Sequence, residues 1–225
     1  MASDKYELVR CPECGTESDA LILDKINTAV DPSMKEMVRT GDAFLFNCPN
    51  CGKKFHLEYP FMYHDPDRKV IIYYVISDED YKDASRTIGR IQSGAVEGDE
   101  EDFEGYTFRI VRNRHEFLEK FNIFEADLDD RLVELQKLLM GAYIQKSNPD
   151  FAFDNIYYFQ DKGQEGVFVL VKDGEDKASI AFDRSMYDQC AADFAASYKD
   201  EHSFVIDTNW AFRIFRILQQ KKDEL

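Results

Sequence analysis

Apolar residues in the first half of the chain occur in short runs, which are typical of β-strands. Turn-forming residues separate these runs. One interruption has helical signals: Asp31 is a good N-cap, Pro32 suits a first helical turn, and Gly41 ends the segment. The pattern predicts a β-rich region with one inserted helix, with strands at 20–30, 43–46, 55–63, 69–77 and 106–112 and a further short helix at 81–90.

The middle of the chain has helical periodicity. Asn113 and Glu116 have the spacing of a capping box, which predicts the start of one helix. A second, longer helix is predicted from Asp127, because leucines recur there at helical spacing. Their positions are 128, 132, 135, 138 and 139. This stripe fits either a helix that faces a core or one that faces a partner.

The segment 147–150, Ser-Asn-Pro-Asp, interrupts the helical pattern. Three short strands in series follow, and they predict an antiparallel meander. An amphipathic helix at 185–197, a short strand at 202–207 and a final helix from 208 to 219 complete the chain. The predicted strands of the meander are 155–160, 166–172 and 177–183.

The cysteines change this picture most. Segments 11–14 and 48–51 are both Cys-Pro-x-Cys, and glycine follows each one, at Gly15 and Gly52. A Cys-x-x-Cys turn directs two sulfurs to one side, and two such turns complete the tetrahedron that zinc prefers. A closed shell of four sulfurs leaves no position for water or substrate, which is typical of a structural site. The predicted metal ligands are Cys11, Cys14, Cys48 and Cys51, around one structural Zn²⁺.

Other uses of these thiols stay open. Cys-Pro-x-Cys also occurs in thiol-exchange proteins, and an oxidising compartment would favour disulfides. His56 follows Cys51 by five residues and is an alternative ligand. Cys190 falls on the apolar side of a predicted helix, which favours a buried thiol over a fifth ligand.

Charge and composition narrow the function classes. The formal net charge is −16, which disfavours nucleic-acid binding because phosphates need Lys and Arg. Only Arg10, Lys53 and Lys54 flank the cysteine motifs. No run reaches the ~20 apolar residues of a membrane span, and the N-terminus has no apolar signal core, so we expect a cytoplasmic protein. We interpret the terminal Lys-Asp-Glu-Leu, 222–225, as a chance match to an ER-retrieval signal.

Two further features are functional candidates. His64 beside Asp65 is the best site candidate away from the cysteines, although residues 64–68 also have turn chemistry. The acidic stretch 97–104 predicts an exposed loop, with a divalent-ion site as the alternative. The sequence contains no phosphate-binding loop, HExxH, GxSxG or dinucleotide fingerprint.

Several segments resemble the CpXC protein family, whose bacterial and archaeal members carry two Cys-Pro-x-Cys motifs. The resemblance lies in both motifs with their glycines, in Asp31-Pro32 and Gly41, in Phe46, and in the segment Tyr59–Asp65. Segments 121–124 and 129–131 are similar to the helical part of longer members. The resemblance implies that the four cysteines act as a unit and that the protein is bacterial, and it implies no mechanism.

Together these observations predict an α+β fold in three parts. Residues 1–112 form a zinc-ribbon-like antiparallel β domain with an inserted helix, 113–146 a helical connector, and 147–225 a small C-terminal α/β unit. The expected function is that of a soluble, zinc-stabilised, non-catalytic binding or assembly module with a protein partner. Homo-oligomerisation, nucleic-acid binding by the ribbon and an enzyme with a site between the two halves stay as alternatives. Replacing any ligand by serine is predicted to unfold the N-terminal domain.

Overall fold

The computed structural model describes residues 5–94, 102–198 and 202–223, which form α-helices together with antiparallel and mixed sheets. The predicted α+β fold class is therefore confirmed. The chain divides into two compact units, residues 1–117 and 118–225. Residues 97–101 of the acidic stretch and the last two residues of the chain lie outside the described residues. None of the described helices has the length and apolar character needed to cross a membrane.

The described part of the first unit contains short strands, two complete α-helices and a one-turn 3-10 helix at Asp42–Phe44. In chain order these are β1 (Lys5–Arg10), β2 (Glu17–Ile22), β3 (Lys25–Asn27), α1 (Met34–Thr40), β4 (Leu45–Asn47), β5 (Lys54–His56), β6 (Phe61–Asp65), β7 (Val70–Tyr74), α2 (Asp78–Gln92) and β8 (Thr107–Val111).

These strands form three separate sheets. Two are antiparallel hairpins, β1–β2 and β4–β5. The third has the order β3-β6-β7-β8, in which β6 and β7 are antiparallel while β3 pairs with β6, and β7 with β8, in parallel. The crossover from β7 to β8 contains α2, as a parallel pair requires.

Aromatic side chains form much of the core of the first unit. Phe61 on β6 stacks on Tyr74 of β7, with ring centroids 5.0 Å apart. It also contacts Phe44 at 4.7 Å and Phe117 at 4.8 Å. Phe44 directly precedes β4, so the core holds the base of the second hairpin. The first hairpin is held through β2, whose Ile22 is buried, whereas most of β1 is exposed.

Some predicted strands are interrupted in the structure. The predicted strand 20–30 is divided into β2 and β3, because the chain moves from one sheet to another between them. The predicted strand 55–63 is interrupted at 57–60, where the chain passes from the β4–β5 hairpin to the four-stranded sheet. Pro60, which lacks the N–H that a ladder needs, directly precedes β6. The turn predicted at 64–68 begins later, since His64 and Asp65 are the buried end of β6.

The second unit combines helices with a three-stranded sheet. Helix α3 (Arg114–Glu125) crosses the boundary between the units, and it is followed by α4 (Asp130–Ser147), β9 (Asn155–Phe159), β10 (Val167–Lys172), β11 (Glu175–Ala181), α5 (Arg184–Tyr198) and α6 (Thr208–Asp223). The strands form an antiparallel meander, as predicted. Helix α4 packs against β9, α5 and α6.

The core of the second unit lies between this sheet and the helices. Leu135, Phe168 and Trp210 are at most 1% exposed, and the leucine stripe of α4 contributes to this core. The strand predicted at 202–207 is wrong, because these residues make local bonds instead of a ladder. Asp207 Oδ1, for example, accepts the backbone N–H of Trp210 in the first turn of α6.

Candidate metal centre

The two Cys-Pro-x-Cys motifs form the turns of the two hairpins. In each turn the first cysteine, Cys11 or Cys48, donates its backbone N–H to the carbonyl five residues later, at 2.9 Å. The glycine donates its N–H back to that cysteine's carbonyl, at 3.0 Å for Gly15 and 2.9 Å for Gly52. The two glycines have φ of 71° and 72°, a left-handed conformation that favours glycine. The same local sequence therefore produces the same turn twice.

The two turns bring the four cysteine sulfurs together. All four Sγ atoms lie within 4.8 Å of one another. Cys11 Sγ is 3.7 Å from Cys51 Sγ, and Cys14 Sγ is 3.7 Å from Cys48 Sγ. A disulfide bond would place two sulfurs about 2.05 Å apart. Four sulfurs about 2.3 Å from a central zinc ion would instead lie about 3.75 Å apart along the edges of a tetrahedron. The two 3.7 Å separations match that edge, and the other four are at most 4.8 Å.

The centre is buried on one side only. Cys11 and Cys48 are each 1% exposed, whereas Cys14 and Cys51 are exposed. Polar groups surround the exposed Cys14: Asn50 Nδ2 lies 3.6 Å from its Sγ and 3.1 Å from Thr16 Oγ1. Hydrogen bonds of this kind orient metal ligands and stabilise their charged form.

Electrostatics also suit a cation. Hydrogen bonds from the Thr16 side chain and backbone, and from the Asn50 side chain, lower the pKa of Cys14 to about 5. At Cys51 the backbone N–H of Lys53 also favours the thiolate, but desolvation and the other cysteines outweigh it and raise the pKa of Cys51 to about 12. Sulfurs this close repel one another when all are charged. A divalent cation among them removes that repulsion and holds each thiol deprotonated.

The structure separates the other candidate ligands from this group. Among the described residues, the only metal-ligating cluster of His, Cys, Asp and Glu is that of the four cysteines. His56 is not a member, and its ring instead faces Gly41. Cys190 belongs to the core of the second unit. The sequence pattern did not single out Thr16 and Asn50 as partners of the cysteines. Their positions are a usable signal, because Asn50 lies within the second motif and Thr16 lies two residues after the first.

His64 is not part of an open site. It is 1% exposed, and both of its ring nitrogens have partners. Nδ1 lies 3.3 Å from Asn27 Nδ2, and Nε2 lies 3.2 Å from the hydroxyl of Tyr106. The neighbouring Asp65 pairs with Lys35 at 2.7 Å. These contacts describe a satisfied buried histidine at the end of β6.

Comparison with known proteins agrees with the site. A family model described as CpXC protein matches residues 9–137, which is more than half of the chain and includes both cysteine motifs. Searches of curated proteins and of solved structures found no significant match. The chain therefore belongs to the CpXC protein family.

Proposed function

We propose that the protein is a zinc-stabilised, non-catalytic binding or assembly module. One Zn²⁺ ion, held by Cys11, Cys14, Cys48 and Cys51, would join the two hairpins of the first unit. The observation that carries this proposal is the pair of 3.7 Å sulfur separations, which match a tetrahedral four-sulfur shell.

A structural role follows from the donor set. Four thiolates saturate a tetrahedral zinc ion, so no position stays open for a water molecule or a substrate. The metal also supplies what the hairpins lack. Strand β1 is exposed along most of its length, and β4 and β5 have three residues each. Two-stranded hairpins this small are marginal in water without additional support.

Metal analysis tests this part of the proposal. Reduced, folded protein should contain one zinc per chain, and thiolate ligation should be visible after replacement by cobalt. Iron also binds in tetrahedral four-sulfur sites. An iron content of one per chain would overturn the zinc assignment, and metal-free protein that is fully folded would overturn the whole proposal.

A protein partner is the second part of the proposal. The outer face of the β1–β2 hairpin presents Tyr6, Leu8 and Leu21, which are 67%, 70% and 41% exposed. Tyr6 lies opposite Leu21 in the register, so the three side chains share one face of the hairpin. Exposed apolar faces of this kind mark sites of protein association.

The partner is tested by capture from native-host extracts, comparing the natural chain with a Tyr6→Ser, Leu8→Ser variant that keeps the zinc content. We expect a protein that only the natural chain retains. Equal retention by both chains would contradict a role for this face. Binding of RNA or DNA that weakens steeply between two salt concentrations would favour the nucleic-acid alternative instead.

A further inference from the structure

Five charged side chains are buried together in the second unit, and we call them the charged cluster. Each is between 1% and 7% exposed. Helix α3 provides Glu119 and Lys120, and helix α4 provides Asp130, Glu134 and Lys137. Charged residues are almost never buried to this extent unless they are paired. The pairing within the cluster therefore decides how it behaves.

Lys137 joins the two glutamates. Its Nζ lies 2.8 and 2.9 Å from the two carboxylate oxygens of Glu119, and 2.8 Å from Glu134 Oε1. Glu119 also accepts the backbone N–H of Tyr158 at 2.7 Å. Tyr158 lies on β9, an edge strand of the three-stranded sheet. The Glu119 carboxylate, on α3, thus joins Lys137 of α4 to the edge strand β9.

Lys120 joins the remaining acids. Its Nζ lies 3.0 Å from Asp130 Oδ2 and 3.4 Å from Glu134 Oε1. Both lysines therefore contact the same oxygen of Glu134. The other oxygen, Oε2, is buried and has no hydrogen-bond partner among the described residues.

The cluster is not electrically balanced. Among its five side chains, three carboxylates face two ammonium groups, which leaves one negative charge when every group is ionised. The nearby guanidinium of Arg131, which also acts on Asp130, is itself paired with the Asp129 carboxylate at 2.7 Å. An uncompensated buried charge is strongly unfavourable, and a neutral carboxyl group is much less so. The bare oxygen of Glu134 is the atom in the cluster that has room for a proton.

We propose that the charged cluster is a proton-binding site: in the folded protein Glu119 and Glu134 share one proton, and losing it as the pH rises destabilises the second unit. The proton brings the buried charges to two positive and two negative. Because Lys137 Nζ contacts both glutamates, the charge on either one acts on the other through the same ammonium group.

The surroundings of the pair agree with this. Burial raises the pKa of Glu119, with Lys137 acting in the opposite direction and Glu134 reinforcing the rise. Burial alone would lower the pKa of Lys137, but its two glutamate partners raise it above the ordinary value. The charged groups around the two glutamates are Lys120 from α3 and Asp130 and Lys137 from α4. Strand β9 adds two uncharged groups, the backbone N–H of Tyr158, which binds Glu119, and the ring of Tyr157, which lies beside Lys137.

The direction of the pH effect follows from linkage. An unfolded glutamate titrates near 4.5. Between that value and the raised pKa of Glu119, the folded state binds one more proton than the unfolded state. Stability is therefore fully present below the unfolded pKa and is lost as the pH rises through the folded one. Within this window the unfolding equilibrium constant should rise by about tenfold per pH unit.

The test is denaturant unfolding of the full metal-loaded chain from about pH 5 to about pH 9. Trp210 is the single tryptophan, and it is buried in the core of the second unit, so its fluorescence reports unfolding of that unit. Glu134→Gln and Glu119→Gln each remove one carboxylate with little change of shape. Glu165→Gln, at an exposed position of the same unit, is the matched control.

We expect the natural chain and Glu165→Gln to lose stability with rising pH, and both cluster variants to be nearly independent of pH. A natural chain without this slope, or cluster variants that keep it, would overturn the proposal. One further result would overturn the proposal: the natural chain is more stable in potassium chloride than in choline chloride at equal ionic strength, and Glu134→Gln abolishes the difference. A metal cation, and not a proton, would then balance the charge of the cluster.

Infrared spectroscopy makes the test independent of variant folding. The natural chain in heavy water near neutral pH should show the C=O stretch of one protonated carboxyl group, and this band should disappear at alkaline pH as the unit loses stability. Absence of the band near neutral pH would refute the shared proton even if neither variant folds.

Discussion

Replacing Cys48 by serine perturbs the metal centre from its buried side. Cys48 is 1% exposed, and its Sγ lies 3.7 Å from that of Cys14. The hydroxyl of serine is a much poorer zinc ligand than a thiolate, so three sulfurs would remain. The backbone of the turn can stay the same, because its hydrogen bonds use only main-chain atoms.

Two contributions set the size of the destabilisation. Structural zinc contributes about 10–16 kcal/mol in small peptides, so one of four ligands corresponds to about 2.5–4 kcal/mol. Burying an unpaired hydroxyl adds about 1–3 kcal/mol. The sum, about 3.5–7 kcal/mol, is comparable with the whole stability of a small domain.

The structure also indicates which part of the first unit loses stability when Cys48 is replaced. The cysteines lie on the hairpins β1–β2 and β4–β5, which are separate from the four-stranded sheet that carries Phe61 and Tyr74. We therefore expect the backbone amides of the hairpins in Cys48→Ser to lose their protection from hydrogen exchange first, and those of the aromatic core to lose it later. This is a more local effect than the unfolding of the whole N-terminal domain that the sequence predicts.

Hydrogen exchange read by mass spectrometry, together with zinc content, measures the effect. Cys190→Ser makes the same chemical change at a buried thiol in the second unit, and it should keep one zinc per chain. Cys14→Ser should lose metal as Cys48→Ser does, but with less destabilisation, because residue 14 is exposed. Full zinc content and unchanged hydrogen-exchange protection of both hairpins in Cys48→Ser would show that Cys48 is not a zinc ligand.

Three further predictions follow from single sites. Gly52→Ala should weaken zinc binding by a factor that corresponds to about 1 kcal/mol, because φ at this residue is +72°, a conformation that costs energy for alanine. A new Cβ there would meet no atom within 4 Å, so this backbone cost is the expected effect. In a chelator competition, the same change at the helical Gly89 should leave zinc affinity unchanged. Phe61→Ala should destabilise the first unit by about 3–5 kcal/mol in guanidinium unfolding, since it removes the ring that contacts four other aromatic residues. A loss below ~1 kcal/mol would contradict the packing described. Burial raises the pKa of Cys190 to about 11, so the thiol is a poor nucleophile in the native chain near neutral pH. Iodoacetamide should leave it unmodified there and should label it in denaturant. Rapid labelling of the native chain would show instead that the thiol is accessible.

The sequence predicted best what local chemistry decides. The Cys-Pro-x-Cys-Gly turns depend on residues a few positions apart, and the preference of zinc for four thiolates was enough to predict that the two turns meet. The meander of the second unit and the helix that ends at Gly41 were predicted on similar grounds. Even the longer start of α2 had a local signal, since Ser77 and Asp80 form a capping box.

Contacts between distant segments were decided only by the tertiary structure. The parallel pairs β3–β6 and β7–β8 have no local signature, because an apolar run does not state which neighbour it will join or in which direction. His64 resembled a turn residue, and it is buried because β6 extends through it.

The charged cluster shows the same limit most clearly. On α3 and α4 alone, Glu119, Lys120, Glu134 and Lys137 have the composition of a solvated helix face. Their burial arises only when the two helices and the edge of β9 come together, and whether a charge meets water or another charge is a property of that assembly. Local sequence was enough to form the two turns that carry the four cysteines, whereas the packing of distant segments fixed which charged side chains were removed from solvent.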